Sequence, residues 1–210
     1  MYRVEKDSIG TKEVPVDAYY GVQSLQGCEN FQITGQRLRP EFIESLAQIK
    51  KACAICNQAV GQLDATLTDA ICAACDEIIA GKFHDQFICD PIQGGAGTTA
   101  NMNANEVIAN RAIEILGGTK GDYSIVHPND HVNRAQSTND VIPTAAKLTA
   151  AKLLTRTIEK AQTMHNALVE KSREFHDVIK MGRTQMQDAV PIRLGSEFGA
   201  YSKAITRDVS

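Results

Sequence analysis

Three polar stretches of the chain concentrate hydroxyl and amide side chains. They are GGAGTTANMNANE at 94–106, HPNDHVNRAQSTND at 127–140 and GRTQMQDAVP at 182–191. In the first stretch, glycines precede Thr98 and Thr99 at a predicted helix start, where free backbone N–H groups beside hydroxyls suit an anionic oxygen. The run Ser137-Thr138-Asn139 repeats this arrangement before a second predicted helix. One such residue suffices as an N-cap, so the longer run favours an anion site over capping alone.

Two other patterns in these stretches indicate weaker alternatives. Gly95-Ala-Gly97-Thr-Thr-Ala100 matches the dinucleotide fingerprint by letter. The preceding FICDPIQ contains Asp and Pro, however, and is a poor candidate for the buried strand that a Rossmann turn requires. His127 and His131 flank Asp130, which would suit a metal or a catalytic dyad, but loop histidines serve structural hydrogen bonds just as often.

Four cysteines have the spacing of a zinc site. Two Cys-x-x-Cys pairs, at 53–56 and 72–75, are separated by fifteen residues. Both pairs lie in Ala-rich segments with helical periodicity, where a cysteine behaves as a small hydrophobic residue. The periodicity predicts one apolar face that contains Phe42, Leu46, Ile49, Ala52 or Cys53, Cys56 and Val60. We therefore expect packing at these cysteines and no metal.

The composition excludes several classes of protein. The 210 residues carry a net charge of −3 and are 43% hydrophobic. Without a basic excess, neither nucleic acid nor an anionic membrane is an expected partner. The N-terminal stretch MYRVEKDSIGTKEVP has no apolar region typical of a signal peptide, and no apolar run approaches the ~20 residues that span a bilayer. Six cysteines in such a chain are expected to stay reduced, which indicates a cytoplasmic protein.

The elements that would position these polar stretches are mostly helices. Residues 1–40 are interrupted by Gly and Pro and are expected to be irregular or to form short strands. Helices are predicted at 41–60, 67–80 with Thr68 or Asp69 as its cap, 99–117 and 140–175, and another from Leu194 onward, after a loop at 182–191. The 140–175 helix would be roughly 50 Å long. Its seam at 151, 154, 158, 161, 165, 168, 172 and 175 is mostly apolar, so we expect it to pack in a bundle larger than this chain.

Several long motifs, in order, identify a family resemblance over nearly the whole chain. These motifs are GTKEVPVDAYYGVQS, ENF, CDEII, GGAGTTANMNANEVIANRA, HPNDHVNRAQSTND and MGRTQMQDAVPIRLGSEF. The chain resembles the fumarase/aspartase superfamily of lyases. Tyr20 stands where fumarases typically have Trp, and Val190 stands where they have Thr. Gln185 replaces the histidine of the fumarase motif, although some aspartases keep that histidine. The resemblance is therefore closer to the aspartase branch.

The resemblance implies a fold, a reaction and a set of site residues. The fold would be mainly α: a helical N-terminal domain with short β elements at 1–139, followed at 140–210 by the first helices of a central bundle. The reaction would be the reversible elimination of ammonia from L-aspartate to give fumarate, by a homotetramer. By motif match, substrate would be bound by Thr98, Ser137, Thr138, Asn139, Thr184 and Gln185. Asn129, Asp130 and His131 match, more weakly, a secondary anion site.

One family signature is missing from the sequence. Gly-Ser-Ser-x-x-Met-Pro-x-Lys-x-Asn-Pro, which carries the base serine and a substrate lysine, does not occur in the 210 residues. The chain would thus carry the carboxylate-binding half of a site, with no catalytic base, and would be inactive alone. A fumarase-type hydro-lyase and a non-catalytic helical assembly fragment stay open as alternatives. No cofactor is expected to be required, and activation by a divalent cation stays open.

Overall fold

The computed structural model describes residues 1–6 and 10–210. It divides into two compact units, Met1–Thr149 and Ala150–Ser210. These units are defined by backbone contacts, whereas the predicted boundary between residues 139 and 140 follows a family motif. That domain boundary therefore stays a prediction.

The first unit begins with a β-hairpin and is otherwise helical. Strand β1 (Tyr2–Lys6) pairs antiparallel with β2 (Thr11–Pro15). The helices are α1 (Val22–Asn30), α2 (Pro40–Ala59), α3 (Ala65–Ile79) and α4 (Thr98–Ile115). Helix α4 lies at the centre of the unit, because most of its residues are buried, including Ala104, Val107, Ile108, Ala112 and Ile113.

A single helix continues from the first unit into the second. Helix α5 runs from Thr138 to Glu174, and α6 runs from Leu194 to Val209. With α2, α3 and α4, they confirm the five predicted helices to within about two residues at most ends. Pro143 lies inside α5, in its second turn, where its missing backbone N–H removes one helical hydrogen bond. The predicted mainly α fold with short β elements is confirmed.

Helix α1 is an element that the sequence did not predict. Gly21 and Gly27 were interpreted as interruptions, yet Gly27 is a helical residue packed against α4. A β-carbon on Gly27 would lie 2.0 Å from the Thr99 side chain, so only glycine permits this approach. The glycine therefore marks close packing between two helices and not a break in one.

The buried face of α2 also differs from the prediction. Cys56 is exposed and Val60 is 70% exposed, whereas Lys50 and Asn57 are buried. The predicted apolar face was wrong at Cys56 and Val60, and it did not include Lys50 and Asn57, whose side chains have hydrogen-bond partners inside the unit. The predicted cap of α3 was wrong as well: the side chain of Asp64 accepts from Leu67 N at 2.9 Å.

The cysteine pairs lie on α2 and α3, as predicted. Cys75 is buried, Cys53 and Cys72 are half-buried, and Cys56 is exposed. Within residues 1–6 and 10–210, no three His, Cys, Asp or Glu side chains are grouped as a metal site would require. In the same part of the chain, no helix is long and apolar enough to cross a membrane.

The second unit contains a hairpin where a loop was predicted. Strands β3 (Ile179–Thr184) and β4 (Gln187–Arg193) pair antiparallel, with a register irregularity between Met181 and Arg183. The C-terminal half of α5 packs against α6: Ser172 Oγ donates to Gly195 O at 2.7 Å, and the rings of Phe175 and Phe198 lie 5.6 Å apart.

Candidate functional site

Thr98 is the first residue of α4 and is exposed. The preceding Gly97 has a φ of 85°, a conformation that a residue with a side chain rarely adopts. Gln93 Oε1 accepts from the backbone N–H of Ala100 at 2.9 Å, so a side chain from the glycine-rich loop satisfies one of the free donors at this helix start. The described residues 87–93, which lead into the loop, do not form a strand, and a Rossmann turn requires one there.

At the start of α5, one residue of the run Ser137-Thr138-Asn139 is the helix cap and the other two are not. Ser137 O accepts from Val141 N at 3.1 Å, and Ser137 Oγ accepts from Asn139 N at 3.2 Å, so Ser137 is the N-cap. Thr138 is half-buried and Asn139 is exposed. The cap thus uses one residue of the run, and the Thr138 and Asn139 side chains are not needed for it.

The two helix starts are in contact. Asn101, one turn into α4, donates through Nδ2 to Thr138 Oγ1 at 3.2 Å. A β-carbon on Gly97 would lie 3.0 Å from Ile142 in the early part of α5, so Gly97 permits close approach of the two ends. Both N-termini carry partial positive charge and unpaired N–H groups. Thr98, Ser137, Thr138 and Asn139 therefore lie at two adjacent helix starts, and their binding of an anion stays a prediction.

A buried lysine lies behind this region and was missed from the sequence. Lys50 is 0% exposed, and its Nζ donates to Asn133 Oδ1 at 2.8 Å and to Gln136 Oε1 at 2.9 Å. Burial lowers the pKa of Lys50 to about 7, partly offset by the thiols of Cys53 and Cys75. In the sequence only the Lys50-Lys51 pair was visible, and such pairs are usually solvated.

Thr184 and Gln185 lie at the tip of the hairpin in the second unit. Gln185 and Met186 form its two-residue turn, with φ of 49° and 62°. Turns of this kind favour Asn and Gly, so two larger side chains here carry backbone strain. Both Thr184 and Gln185 are exposed. They form a group of their own, and their participation in one site with the residues of the first unit stays a prediction.

The residues predicted for a secondary anion site form one turn of π-helix, Pro128–Val132. His127 Nδ1 accepts from the backbone N–H groups of Asn129 and Asp130, at 3.2 and 3.1 Å. Asn129 lines an open cavity of about 230 Å³, together with Lys6, Gln23 and His127. Of Asn129, Asp130 and His131, only Asn129 lines this cavity, and the secondary anion site stays a prediction.

The histidines in this turn are engaged in structural hydrogen bonds. His131 Nδ1 accepts from His127 N at 2.9 Å. Burial and the neighbouring His127 lower the pKa of His131. Because His127 Nδ1 accepts two N–H groups, it carries no proton, and its 3.3 Å distance from Asp130 is not an ion pair. These contacts favour the structural interpretation over a catalytic dyad.

The first unit is mainly helical, and the starts of α4 and α5, each with hydroxyl side chains, are in contact. The chain belongs to the Lyase family, whose model matches residues 10–210. It is 56% identical over 208 residues to the aspartate ammonia-lyase of Bacillus subtilis strain 168, and this match covers 99% of the chain and 44% of that relative. The chain thus spans less than half the length of this relative.

Two solved structures are similar to the whole chain. A fumarate lyase:delta crystallin from Brucella melitensis, in native form, has a TM-score of 0.89 and 49% identity, with 100% of this chain and 49% of that chain covered. A recombinant class II fumarase from Schistosoma mansoni has a TM-score of 0.87 and 38% identity, with 100% of this chain and 44% of that chain covered. These likenesses agree with the mainly α fold and with the family.

Proposed function

We propose that this chain forms the carboxylate-binding part of an aspartate ammonia-lyase. The reaction is the reversible elimination of ammonia from L-aspartate to give fumarate. The observation that carries the proposal is the contact between the starts of α4 and α5, where Asn101 joins Thr138 and both helices present N-terminal N–H groups. The identity of 56% to an aspartate ammonia-lyase, compared with 38% to a fumarase, supports the ammonia-lyase over the hydro-lyase.

The chemistry requires strong stabilisation of negative charge. A base removes a poorly acidic proton from C3 of aspartate, and a doubly charged aci-carboxylate develops as ammonia leaves from C2. Hydrogen-bond donors aimed at this charge lower the barrier most when they are held in place beforehand. In the first unit, Thr98, Ser137, Thr138 and Asn139 would donate to a substrate carboxylate, supported by the two positive helix ends.

Thr184 and Gln185, at the tip of the hairpin, would also bind a substrate carboxylate. Because the tip is exposed and strained, it is suited to contact a ligand or another subunit. We propose a homotetramer for the complete enzyme, since Leu154 and Ile158 of α5 are 53% and 43% exposed on a helix of 37 residues. Asn129, Asp130 and His131 would form a secondary anion site. We place the enzyme in the cytoplasm, where its thiols would stay reduced.

The experiment uses the chain alone and in a chimera. In the chimera, this chain replaces the matching N-terminal part of the Bacillus subtilis aspartate ammonia-lyase. We expect the chimera to release fumarate from L-aspartate, followed by its ultraviolet absorbance, and to leave L-malate unchanged. The 210-residue chain alone should release none, because the base-bearing signature does not occur in it.

The site residues are tested in the same chimera. Thr138→Val removes the hydroxyl but keeps the shape, and we expect KM for L-aspartate to rise about tenfold or more, the cost of losing one hydrogen bond to a charged group. Thr155→Val, at an exposed position of α5, is the matched control and should leave KM unchanged. A folded chimera that acts on malate in preference to aspartate, or an active 210-residue chain, would contradict the proposal.

A further inference from the structure

The environment of Lys50 is unusual for a buried charge. Its ammonium group has two acceptors, Asn133 Oδ1 and Gln136 Oε1, and both are neutral amides. Among residues 1–6 and 10–210, no carboxylate forms an ion pair with it. A buried charge held only by neutral groups is costly, and such groups are concentrated at functional sites. Its partners lie in the segment that leads directly into Ser137, Thr138 and Asn139.

Lys50 begins a chain of hydrogen bonds that ends at the Thr138 hydroxyl. Asn133 Oδ1 accepts from Lys50 Nζ and also from Asn101 Nδ2, at 2.8 and 3.2 Å. Asn101 Nδ2 in turn donates to Thr138 Oγ1 at 3.2 Å. We call these four residues, Lys50, Asn133, Asn101 and Thr138, the Lys50 relay.

The donor and acceptor roles in the relay follow from the lysine. An ammonium group can only donate, so Asn133 must turn its oxygen toward Lys50. That oxygen then requires the NH₂ of Asn101 to face it, and the same NH₂ donates to Thr138 Oγ1. Because the Thr138 oxygen already accepts from inside the protein, its single O–H proton is left to donate outward.

We propose that Lys50 is a positioning residue that orients the Thr138 hydroxyl as a hydrogen-bond donor to a substrate carboxylate. The part of this inference that concerns substrate rests on the proposed function. Lys50 does not touch the substrate; it acts through Asn133 and Asn101.

The orientation of the Thr138 hydroxyl depends on Lys50 because the Asn101 amide has two possible orientations. Its Oδ1 is buried and has no hydrogen-bond partner among the described residues. If the amide turned over, this oxygen could accept the Thr138 proton, and a buried unsatisfied acceptor would be removed. The alternative orientation would withdraw the hydroxyl from the ligand, and it would place Asn101 Oδ1 against the acceptor Asn133 Oδ1. Lys50 opposes this orientation, because its ammonium group can only donate and so holds Asn133 Oδ1 in place as an acceptor.

The first experiment tests the orientation in the 210-residue chain, independently of any activity. With asparagine labelled with ¹⁵N, we expect nuclear Overhauser effects between the Asn101 NH₂ protons and the side chain of Thr138, measured below the pKa of Lys50. In Lys50→Met these effects should weaken or vanish. The wild-type measurement does not depend on whether the variant folds. Absence of these effects in the wild type would overturn the orientation.

The second experiment tests the consequence for binding, in the chimera. Lys50→Met should raise KM for L-aspartate about tenfold, as expected when one hydrogen bond to a charged group is lost. In a Thr138→Val background the same change should add less than about twofold, because coupled residues are not additive. Lys51→Met is the matched control: Lys51 is the next residue of α2, pairs with Asp76 at 2.7 Å and has no link to Thr138.

The outcomes separate the two proposals. If Lys50→Met raises KM by the same factor in the wild-type and the Thr138→Val backgrounds, Lys50 does not act through Thr138. This result would overturn its positioning role, even in an active enzyme. A folded but inactive chimera together with the expected Overhauser effects would overturn the proposed function and leave the orientation established.

Discussion

Buried or half-buried polar side chains hold the irregular segments of the first unit. Asp90 accepts hydrogen bonds from the backbone N–H groups of Thr34, Gly35 and Ile92, at 2.7, 2.9 and 2.8 Å. Burial opposes ionisation of this carboxyl, but these bonds and the Thr34 hydroxyl outweigh it and lower the pKa of Asp90 to about 2. A single side chain thus connects two loops that lie more than fifty residues apart.

The lowered pKa of Asp90 predicts a dependence of stability on acid. A depressed carboxyl pKa stabilises the fold fully above its unfolded value of about 4, and this contribution is lost as the pH falls toward 2. Asp90→Asn should therefore lower the urea midpoint of the chain at neutral pH, and the difference from wild type should shrink in acid. Asp69→Asn, at an exposed position of α3, should show no such change. A difference that stays constant down to pH ~2 would contradict this account.

The burial of Lys50 could not be predicted from the helical pattern of α2. A polar residue in a helical pattern is predicted to be exposed, because burial of its charge is costly without partners. The partners of Lys50 are 83 and 86 residues away along the chain. No periodicity within α2 contains that information.

At the scale of elements, α1 is anchored by a side chain from another helix. Glu106 of α4 accepts from the backbone N–H groups of Gly21, Gln23 and Ser24, at 2.8, 2.9 and 3.0 Å. Gly21, the N-cap, has no side chain to do this, so a carboxylate from α4 satisfies the free donors at the start of α1. The helix forms because of this tertiary contact.

Replacement of Glu106 tests this anchor. Glu106→Gln keeps the shape but can turn an NH₂ toward backbone donors and removes the charge. We expect a loss of about 2–3 kcal/mol in the free energy of unfolding, from buried donors left without an acceptor. Denaturant unfolding followed by circular dichroism measures it. Gln58→Ala, at an exposed position of α2, should change this free energy by less than about 0.5 kcal/mol. Equal effects of the two changes would rule the anchor out.

The hairpin of the second unit is another element that the sequence did not predict. Its strands contain Gly182 and Pro191, and its turn consists of Gln185 and Met186, which are not typical turn residues. Gly182 permits close approach, since a β-carbon there would lie 2.8 Å from Val190 O. Gly182 and Pro191 made the strands hard to predict from the sequence and bend the hairpin, and Gln185 and Met186 strain its turn. Such strain is typical of segments that contact a ligand or a subunit.

At the scale of the whole molecule, α5 exposes apolar side chains that a monomer would leave in water. Leu154 and Ile158 lie one turn apart and are 53% and 43% exposed, and Met164 is 54% exposed. The half of the predicted seam that includes His165 and Phe175 packs against α6, whereas the half at 151–158 does not. Exposed apolar stripes of this kind mark association surfaces.

The exposed half of the seam predicts self-association of the chain. Sedimentation velocity should show species larger than the 22.8 kDa monomer, in increasing amounts at higher concentration. The double change Leu154→Lys and Ile158→Lys should shift the distribution to monomer, because it places charge on the contact surface. Thr163→Lys, about half a helical turn around α5, is the control. A wild-type chain that stays monomeric at high concentration would show that this surface needs a different partner.

The sequence by itself determined the long helices, because periodic apolar spacing and helix-start residues are local signals. The order of its motifs also indicated the family and the polar residues Thr98, Ser137, Thr138 and Asn139. Only the tertiary structure revealed that α1 exists, that the 182–191 segment pairs as strands, and that Lys50, Asn133 and Asn101 lie behind Thr138. These features depend on hydrogen bonds between residues distant in the chain. The direction in which a half-buried hydroxyl such as that of Thr138 donates depends on such partners, and no local pattern encodes it.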